Sequence, residues 1–504
     1  MALLLGYDIG SSSIKASLID SQTGKVIADA TSPDKELEII AQRVGFAEQH
    51  PQTWWQHVVL ATAMMKEKAK FTPGDVKAIG ISYQMHGLVV VDKQQQVLRP
   101  AIIWCDSRAV EIGEKAAADI GREKCLKSLF NLPGNFTASK LKWVKDNEPD
   151  VYSKIDKAML PGDFIAMKMT GEISTTPSGL SEGIMWDFEH DRLADFVLDN
   201  YGISKDILPK VNPTFSNQGQ LTAVAADELG LCKGIQVTYR GGDQPNNALS
   251  LGVLEPGQVA VTAGTSGVVY GVSDKKDYDR QSRVNTFVHV NHSEKENRYG
   301  VLLCVNGTGI LNSWLKHNFV GDNISYEQMN KIAATVGVGS DGLVIHPYGN
   351  GAERTLGNKN IGASVHGWNF NVHKKAHFLR ACQEGIVFAL NYGLEIMRSV
   401  GVKADNLRAG KANMFLSPLF AKAFATTADC VVELYNTDGA QGAARGAGIG
   451  AGIYKDYKEA FAGLECKQVI EPDKGDYESY KSAYEKWLSY LKIDTCVKSP
   501  ISRS

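Results

Sequence analysis

Two turns rich in glycine and hydroxyl side chains stand about half a chain length apart in this sequence. The first is Gly10-Ser11-Ser12-Ser13, and the second is Gly264-Thr265-Ser266-Gly267. Glycine lets the backbone approach an anion, successive N–H groups point into one concavity, and hydroxyl groups add hydrogen-bond donors. One turn of this kind holds a phosphate weakly, whereas two that face each other hold successive phosphates across a cleft. The pair therefore predicts a polyphosphate site.

Two charged residues flank the first turn. Asp8 precedes it by two residues and can hold a divalent cation, directly or through the waters of the ion. Lys15 follows the turn and can add positive charge, although a solvated lysine on a strand is the commoner outcome. The segment therefore has the residue types for a metal–phosphate site.

Four further segments carry polar side chains where predicted strands and helices end. They contribute Gln84, Met85 and His86 in QMHG; Trp104, Asp106 and Arg108 in WCDSR; Asp243 and Gln244 after two glycines; and Glu353 and Arg354 in a glycine-rich loop. Taken singly, His86 could be a core imidazole and Asp243 a helix N-cap before a helix opened by Pro245. Phosphoryl transfer to an alcohol, however, needs an anion cradle, a cation and a carboxylate that accepts the hydroxyl proton. A sugar adds the need for directed hydrogen bonds and an apolar wall, which these segments supply.

The elements that must position these residues alternate between strands and helices. Each of the two turns lies between apolar runs, residues 3–20 and 258–273, which predicts two similar α/β halves that each open with a strand–turn–strand unit. Two unrelated hairpins are the alternative, since small residues are normal in turns. Apolar residues at three- and four-residue spacing predict helices over 53–70 and 374–399, and residues 76–82 are a predicted strand.

Composition excludes several classes of function. The 504 residues include 43% hydrophobic and 22% charged residues with a net charge of −2, which is typical of a globular protein and disfavours a nucleic-acid binder. No apolar run is long enough to span a membrane, and the N-terminus has no basic leader. Eight cysteines without a CxxC pair indicate a reducing compartment, so we expect a cytoplasmic protein.

Known nucleotide and metal motifs do not account for the sequence. There is no GxxxxGK[ST] motif, and the GxGxxG match at 337–342 precedes a strand where a dinucleotide fold requires it to follow one. The glycines of 446–452 are typical of a closely packed small-residue helix. His373 and His377 are spaced like metal ligands on a helix, but no further ligand is near them in the sequence.

The order of these motifs resembles that of the FGGY carbohydrate kinases over nearly the whole chain. The matching segments are GYDIGSSSIKAS, QMHG, WCDSR, GNFTASKLKWVKDNEP, GGDQ, AGTSG, GAERT and GASVHGWNF with the helix after it. The resemblance implies an α/β fold with two ribonuclease-H-like domains of the actin/hexokinase kind flanking a deep catalytic cleft. We expect an N-terminal domain over 1–250, a C-terminal domain over 251–490 and a tail over 491–504.

The resemblance also implies roles for individual residues. Asp243 is expected to be the general base, and Asp8 the carboxylate on the metal side. The expected sugar-binding residues are Gln84, Met85, His86, Trp104, Asp106, Asp243 and Gln244. The expected ATP-binding residues are Gly10, Ser11, Ser12, Ser13, Lys15, Gly264, Thr265, Ser266, Gly410 and Asn413. The chain departs from the family at 409–413, where Ala-Gly-Lys-Ala-Asn replaces a triple-glycine loop over adenine.

Within the family, the QMHG turn resembles that of enzymes that phosphorylate D-xylulose to D-xylulose 5-phosphate with MgATP. Alternatives in the same class are kinases for ribulose, rhamnulose or glycerol, because two or three side chains read a hydroxyl orientation. A different class with this fold is a non-catalytic, nucleotide-switched actin-like protein. We expect no nucleic-acid or membrane partner, and a homodimer is left open.

Overall fold

The protein is described by a computed structural model that covers residues 2–321 and 323–497. Its strands, in chain order, are β1 (Leu3–Ile9), β2 (Ile14–Asp20), β3 (Val26–Ser32), β4 (Glu48–Gln49), β5 (Val76–Tyr83), β6 (Val89–Val91), β7 (Ala101–Ile102), β8 (Lys157–Met159), β9 (Ser174–Thr175), β10 (Trp186–Asp187), β11 (Arg192–Leu193), β12 (Lys210–Val211), β13 (Gln236–Gly242), β14 (Gln258–Ala263), β15 (Gly267–Ser273), β16 (Asn285–Val288), β17 (Tyr299–Val305), β18 (Val344–His346), β19 (Ser364–His366), β20 (Asn406–Gly410), β21 (Val431–Tyr435) and β22 (Cys466–Ile470).

The α-helices are α1 (Pro51–Lys68), α2 (Val110–Ile120), α3 (Arg122–Leu129), α4 (Thr137–Asn147), α5 (Pro149–Tyr152), α6 (Pro161–Thr170), α7 (Pro177–Glu182), α8 (Asp195–Tyr201), α9 (Ala223–Leu229), α10 (Asp243–Ser250), α11 (Gly309–Leu315), α12 (Tyr326–Ala333), α13 (Lys375–Ser399), α14 (Pro418–Ala428), α15 (Gly439–Gly450), α16 (Tyr457–Ala460) and α17 (Tyr477–Val497). Short 3₁₀ segments lie at Pro73–Asp75, Lys205–Ile207, Ser340–Gly342, Arg354–Leu356 and Asn413–Leu416, and a π-helical segment at Lys316–Val320.

Two large sheets repeat one topology. The first has the strand order β13-β5-β1-β2-β3, in which β1, β2 and β3 are antiparallel neighbours and β1, β5 and β13 are parallel. The second has the order β16-β17-β15-β14-β20-β21-β22, with β14, β15 and β17 antiparallel and β14, β20 and β21 parallel. Each sheet therefore opens with a strand–turn–strand unit and then adds parallel strands, and the predicted repeat is present.

Two helices cross between the sheets. Helix α10 follows β13 of the first sheet, yet its Ala248 packs with Ala260 and Tyr270 of the second sheet. Helix α15 follows β21 of the second sheet, yet its Ala444 packs with Leu4 of the first sheet. The exchange places two helix N-termini between the sheets.

Two long helices each pack against one of the large sheets. Helix α1 begins two residues before the predicted 53–70 segment and packs Trp54 and Val58 into the core of the first sheet. Helix α13, predicted over 374–399, begins one residue later and is buried along most of its length in the core of the second sheet. Among the residues that the structure describes, no helix is long and apolar enough to cross a membrane.

A third core joins the insert between β5 and β13 to the second sheet. Phe130 stacks on Phe188 at 4.4 Å between ring centroids, and Tyr299 of β17 meets both rings edge-on. The insert thus packs against the strands of the other half. The domain boundaries at 250 and 490 stay a prediction, and residues 498–504 of the predicted tail lie outside the described residues.

Candidate active site

The carboxyl ends of three parallel strands meet at one edge of the first sheet. Asp8 is the last residue but one of β1, the 84–86 turn follows β5, and Asp243 follows β13. The N–H of Gln84 donates to the Ile9 carbonyl over 2.8 Å, so the 84–86 turn lies beside the end of β1. Ligands of α/β proteins bind outside this edge of a sheet. The sheet therefore brings the main predicted polar groups together.

One hydrogen-bond donor, Ser82, and two charged side chains, Lys15 and Asp438, surround Asp8. Ser82 Oγ donates to its carboxylate over 2.7 Å, and Lys15 sits directly opposite it on β2. Burial raises the pKa of the Asp8 carboxyl, and the charge of Asp438 adds to that rise. Asp438 precedes helix α15, and a Cβ on Gly439 would lie 2.5 Å from Asp8 Oδ2. A glycine at 439 is thus needed for α15 to approach Asp8.

Asp243 is the first residue of helix α10. Gly242 is the N-cap, so the N-cap interpretation of Asp243 is wrong, and the helix begins two residues before Pro245. Burial, followed by the charge of Asp8, raises the pKa of the Asp243 carboxyl to about 7. The Gln244 side chain hydrogen-bonds that carboxylate and acts in the opposite direction. A carboxylate with a pKa near 7 is suited to proton transfer at neutral pH.

Glu182 is a second buried carboxyl beside Asp243. Burial and the charge of Asp243 raise its pKa well above the usual range. Its Oε1 has no hydrogen-bond partner although it is buried, and a Cβ on Gly242 would lie 2.5 Å from Oε2. Sequence reasoning missed Glu182, because it ends an unremarkable short helix, α7.

The turn at 84–86 presents a neutral imidazole. His86 has a left-handed backbone with φ 62°, and its Nδ1 donates to the Glu182 carbonyl over 2.9 Å. Burial, with smaller contributions from the charges of Lys140 and Arg354, lowers the pKa of His86 to about 3. Since Nδ1 carries the proton, Nε2 is left as a hydrogen-bond acceptor. The Phe136 ring lies edge-on at 4.7 Å between ring centroids and forms an apolar wall.

Lys140 holds this turn in place. It is buried, and its Nζ donates to the carbonyls of His86 over 2.8 Å and Ile103 over 3.0 Å. Burial lowers the pKa of Lys140 to about 7. Met85 is also buried, and its side chain packs against Gly242, which precedes Asp243.

Three predicted sugar-binding residues have other contacts. The buried amide of Gln84 donates weakly to Gln49 Oε1 over 3.4 Å. Trp104 is 54% exposed, and its Nε1 donates to Ser11 Oγ over 3.2 Å. The Asp106 carboxylate is fully buried, pairs with Arg108 and accepts the Ala47 N–H over 2.6 Å. Asp106 therefore holds its own loop together in this structure.

The first glycine–serine turn is tightly closed. Gly10 N donates to the Ser13 carbonyl over 3.1 Å, and Gln49 Nε2 donates to the Ser11 carbonyl over 2.7 Å. Ser12 is exposed, and so is Lys15 on β2. These two hydrogen bonds fix the backbone that carries the serine hydroxyls.

The second turn lines a cavity of about 490 Å³ in the second half of the chain. Gly264 and Thr265 form one wall, and their carbonyls accept the first N–H groups of helix α11, from Gly309 over 2.8 Å and from Ile310 over 3.1 Å. Asn413, with φ 53°, lines the cavity near Gly264. The remaining lining residues are Ala263, Asn312, Ser313, Tyr326, Asn330, Met414, Leu416 and Ser417.

Two predicted nucleotide-binding residues lie beside this cavity and do not line it. Gly410 ends β20, with open space where a Cβ would stand. The Ser266 side chain hydrogen-bonds the Cys304 thiol on the neighbouring strand β17. The structure thus brings Gly264, Thr265 and Asn413 to one cavity and adds polar groups from α11 and α12 that sequence reasoning missed.

The glycine-rich loop after β18 reaches toward the 84–86 turn. Glu353 is buried, accepts the Asn306 N–H over 2.9 Å and has a pKa raised by burial to about 8. The guanidinium carbon of Arg354 lies 5.9 Å from the centroid of the Phe136 ring that also meets His86. Arg354, noted in the sequence but given no role there, is therefore a cation close to this turn.

Comparisons with known proteins agree along the whole chain. Residues 3–250 match the model of the N-terminal domain, and residues 259–453 that of the C-terminal domain, of the FGGY family of carbohydrate kinases. A xylulose kinase from Bacillus subtilis is 30% identical in an alignment that covers 96% of this chain and 97% of that protein. A xylulose kinase from Staphylococcus epidermidis is 32% identical, with 96% of both chains covered.

A solved structure has the same fold. A crystal structure described as a xyloylose kinase from Brucella ovis superposes with a TM-score of 0.89 at 25% identity, covering 98% of this chain and 100% of that one. The fold class expected from the sequence, an α/β protein of the actin/hexokinase kind, is confirmed.

Proposed function

Because this chain belongs to the FGGY family of carbohydrate kinases, we propose that it transfers the γ-phosphoryl group of ATP to D-xylulose, giving D-xylulose 5-phosphate and ADP. Two relatives of 30% and 32% identity that match nearly end to end carry the name xylulose kinase. The observation that carries the proposal is the position of Asp243, whose pKa is raised to about 7, beside the turn that presents Met85 and His86.

Asp243 serves as the general base. The oxygen of the terminal sugar hydroxyl forms a bond to the γ-phosphorus in line with the bond that breaks, which joins that phosphorus to the bridging oxygen of ADP. The hydroxyl proton passes to the Asp243 carboxylate, and ADP leaves with the electron pair of the broken bond. Gln244 orients the carboxylate through the hydrogen bond between them.

The sugar lies against the 84–86 turn. His86 Nε2 accepts a hydrogen bond from a sugar hydroxyl, since Nδ1 is engaged with Glu182, and Met85 with Phe136 supplies the apolar wall. Sugar sites combine such an apolar surface with a few placed polar groups. Gln84 and Trp104 stay predictions as sugar ligands. For Asp106, we propose instead that its ion pair with Arg108 shapes the neighbouring loop.

ATP occupies the cavity of the second half and extends toward Asp8. Gly264 and Thr265 face the phosphates, while Asn413 and Tyr326 line the side that takes the nucleoside. The Gly10–Ser13 turn, with Lys15 beside it, supplies the second phosphate contact, and Arg354 offsets the negative charge that the product gains. Backbone N–H groups and hydroxyls suit this task because they bind anions without a formal charge of their own.

A magnesium ion fits the residues at Asp8. Two carboxylates, Asp8 and Asp438, repel each other there, since the charge of Asp438 raises the pKa of Asp8, and hard divalent cations take oxygen ligands of this type. We propose that these two residues hold the ion with its waters. When bound, Mg²⁺ neutralises charge on the ATP phosphates.

A panel of acceptors tests the proposed substrate. Purified protein with MgATP is assayed for ADP release with D-xylulose, D-ribulose, L-rhamnulose and glycerol, and the Asp243→Asn protein controls for contaminating kinases. We expect the highest kcat/KM for D-xylulose. A higher value for another acceptor would reassign the substrate, and ATP turnover that ignores every sugar would favour the actin-like class.

Two further expectations belong to the proposal. Since ATP is the donor, we place the reaction in the cytoplasm. A homodimer stays a prediction.

A further inference from the structure

Four polar side chains converge where strands β18 and β19 meet helix α17, and none of the four has a part in the proposed kinase reaction. His346 ends β18, and Ser364 and His366 bound the paired strand β19. Asp494 lies near the end of helix α17, about 130 residues further along the chain. The imidazole and carboxylate ligand atoms of His346, His366 and Asp494 all lie within 4.8 Å of one another.

One carboxylate oxygen is the centre of the cluster. Asp494 Oδ2 lies 2.7 Å from His346 Nδ1, 3.0 Å from His366 Nε2 and 2.5 Å from Ser364 Oγ. Two of these three partners are ring nitrogens, each able to offer a lone pair. The hydroxyl of Ser364 lies 3.0 Å from each of the same two nitrogens.

In a neutral His346 ring, the contact between Nδ1 and the Asp494 carboxylate has no proton to form a hydrogen bond. His346 Nε2 lies 3.1 Å from the Trp487 carbonyl, which can only accept, so Nε2 carries a proton. In the neutral ring, Nδ1 is then a lone pair facing a carboxylate oxygen at 2.7 Å. A proton shared by the ring and the carboxylate, or a metal cation between them, offsets the repulsion. The His346 side chain is 0% exposed, so water cannot supply the missing positive charge at this contact.

Neighbouring groups fix the orientation of both imidazole rings, as they do around metal-binding histidines. A ligating histidine usually donates its other ring N–H to a carbonyl or carboxylate, as His346 does to Trp487. The His366 ring stacks on Tyr490 at 4.5 Å between centroids, which fixes its plane. The side chains of His366 and Asp494 are 19% and 9% exposed, so the cluster is largely shielded from water.

We propose that His346, His366 and Asp494 bind a divalent transition-metal ion, with Zn²⁺ the best match, and that Ser364 or a water completes the site. Two imidazoles and a carboxylate suit zinc and related ions, whereas magnesium prefers oxygen ligands alone. Tetrahedral zinc at about 2.0–2.1 Å from each ligand separates neighbouring ligand atoms by about 3.3 Å. The Asp494 oxygen would therefore have to move away from His346 Nδ1 by about 0.6 Å and from His366 Nε2 by about 0.3 Å.

The ion would tie helix α17 to the β18–β19 hairpin. The connection between those two strands is the loop that carries Glu353 and Arg354. Metal binding would thus stabilise the base of a loop whose tip approaches the 84–86 turn, and it would join the last described helix to the second half of the chain.

Metal titration of the full-length protein tests the site. Protein stripped with a chelator and free of nucleotide is titrated with ZnCl₂ by calorimetry and with CoCl₂ by visible absorption. We expect one equivalent of Zn²⁺ to bind, a visible cobalt band without sulfur-to-cobalt charge transfer, and a rise in Tm with zinc. Absence of zinc binding at micromolar concentrations, or a charge-transfer band from a cysteine such as Cys496, would overturn the proposal.

Two variants and one control assign the binding to the cluster. His366→Gln and Asp494→Asn should each weaken zinc binding at least tenfold and remove the zinc-dependent rise in Tm. His377→Gln is the matched control, because His377 pairs with exposed Asp341 over 3.0 Å and, among the residues that the structure describes, the two belong to no cluster of three metal-ligating side chains. Unchanged affinity in both cluster variants would overturn the proposal. Should Asp494→Asn fail to fold, His366→Gln alone decides.

Discussion

The carboxyl of Asp243 stands beside Asp8 in partly dehydrated surroundings, and these two features raise its pKa to about 7. A general base works only when it is deprotonated, so the active fraction falls as pH drops through this value. Burial, the larger cause, persists with MgATP bound, whereas Mg²⁺ at Asp8 would lower the Asp243 pKa somewhat. We therefore expect kcat/KM for the sugar to be level above pH 8 and to fall about tenfold per pH unit well below 7. A pH profile at saturating MgATP measures this. A profile that stays level down to pH 5 would contradict it.

Replacement of Asp243 by Asn separates chemistry from binding. The amide keeps the size of the side chain but cannot take the sugar proton, so we expect turnover to fall by roughly 10²–10⁴-fold or more while ATP affinity stays within a factor of a few. Turnover and nucleotide affinity are measured on one preparation. Exposed Asp227→Asn is the control. Retained turnover in Asp243→Asn would remove this residue from the mechanism.

His86 is expected to act on the sugar alone. His86→Ala removes an acceptor at Nε2 and the bond from Nδ1 to Glu182, and one such hydrogen bond is worth about 0.5–1.5 kcal/mol. We therefore expect the sugar KM to rise several-fold with little change in the ATP KM. His57→Ala, which loses a hydrogen bond to Ser32 on the outside of the first sheet, is the control. Equal changes in both KM values, or a large loss of Tm, would favour a structural role for His86.

At the scale of elements, helix α15 determines how closely Asp438 approaches Asp8. Glycines on the sheet and on the helix let the two backbones come close. Gly80 of β5 faces Ala443, and Gly446 of the helix faces Tyr239 of β13. Gly442 faces Ser250 of helix α10. The small-residue helix predicted near 446–452 thus has a positioning role, because larger residues would hold the two carboxylates apart.

Gly80→Ala tests this packing. A methyl group there would overlap the Ala443 carbonyl and lie 3.2 Å from Ala447 Cβ, so we expect a loss of about 1–3 kcal/mol in stability together with lower activity. Gly74→Ala, where nothing lies within 4 Å of the added carbon, is the control and should be nearly neutral. Denaturant unfolding and kcat are measured on both proteins. Equal stability of the two variants would show that α15 moves away at little cost.

At the scale of the whole molecule, the chain passes between the two sheets three times. The first passage is 251–257, with positive φ at Gly252 and Gly257, and the other two flank helix α15. Arg408 in the second sheet donates to the carbonyls of Leu251 and Gly252, over 3.2 and 3.0 Å. Gly252, Pro256 and Gly257 favour a hinge over 250–258. Because the chain also passes between the sheets on both sides of α15, we expect those two segments to bend together with it.

We expect the two halves to close on substrates. The proposed sugar-side residues Asp243 and His86 lie at the first sheet, and the proposed nucleotide cavity lies in the second half. Closure would bring the two substrates together and exclude water. Solution scattering should give a smaller radius of gyration with D-xylulose and a non-hydrolysable ATP analogue than without ligands. ATP hydrolysis without sugar should be far slower than sugar phosphorylation. Identical scattering curves at saturation would mean that the cleft is preformed.

Local patterns in the sequence determined much of this protein. The strand–turn–strand units at 3–20 and 258–273 and helices α1 and α13 follow from apolar periodicity, which acts over a few neighbouring residues. The fold class follows from the resemblance to a known family that the order of the motifs carries. Asp8, the 84–86 turn and Asp243 could be singled out for the same reason, since each directly follows or ends a strand.

Only the tertiary structure decided which distant groups meet. Glu182, Asp438 and the cavity lining from α11 and α12 lie in segments without a local motif. Arg354 lies in a motif, but only the fold brings it to the Phe136 ring. The His346–His366–Asp494 cluster joins a hairpin to a helix far along the chain. Burial likewise arises only in the folded molecule. It lowers the pKa of His86 and raises the pKa of Asp243. Folding also pairs the buried Asp106 carboxylate with Arg108. Dehydration and charge proximity arise from packing between remote segments, and the order of residues along the chain does not contain them.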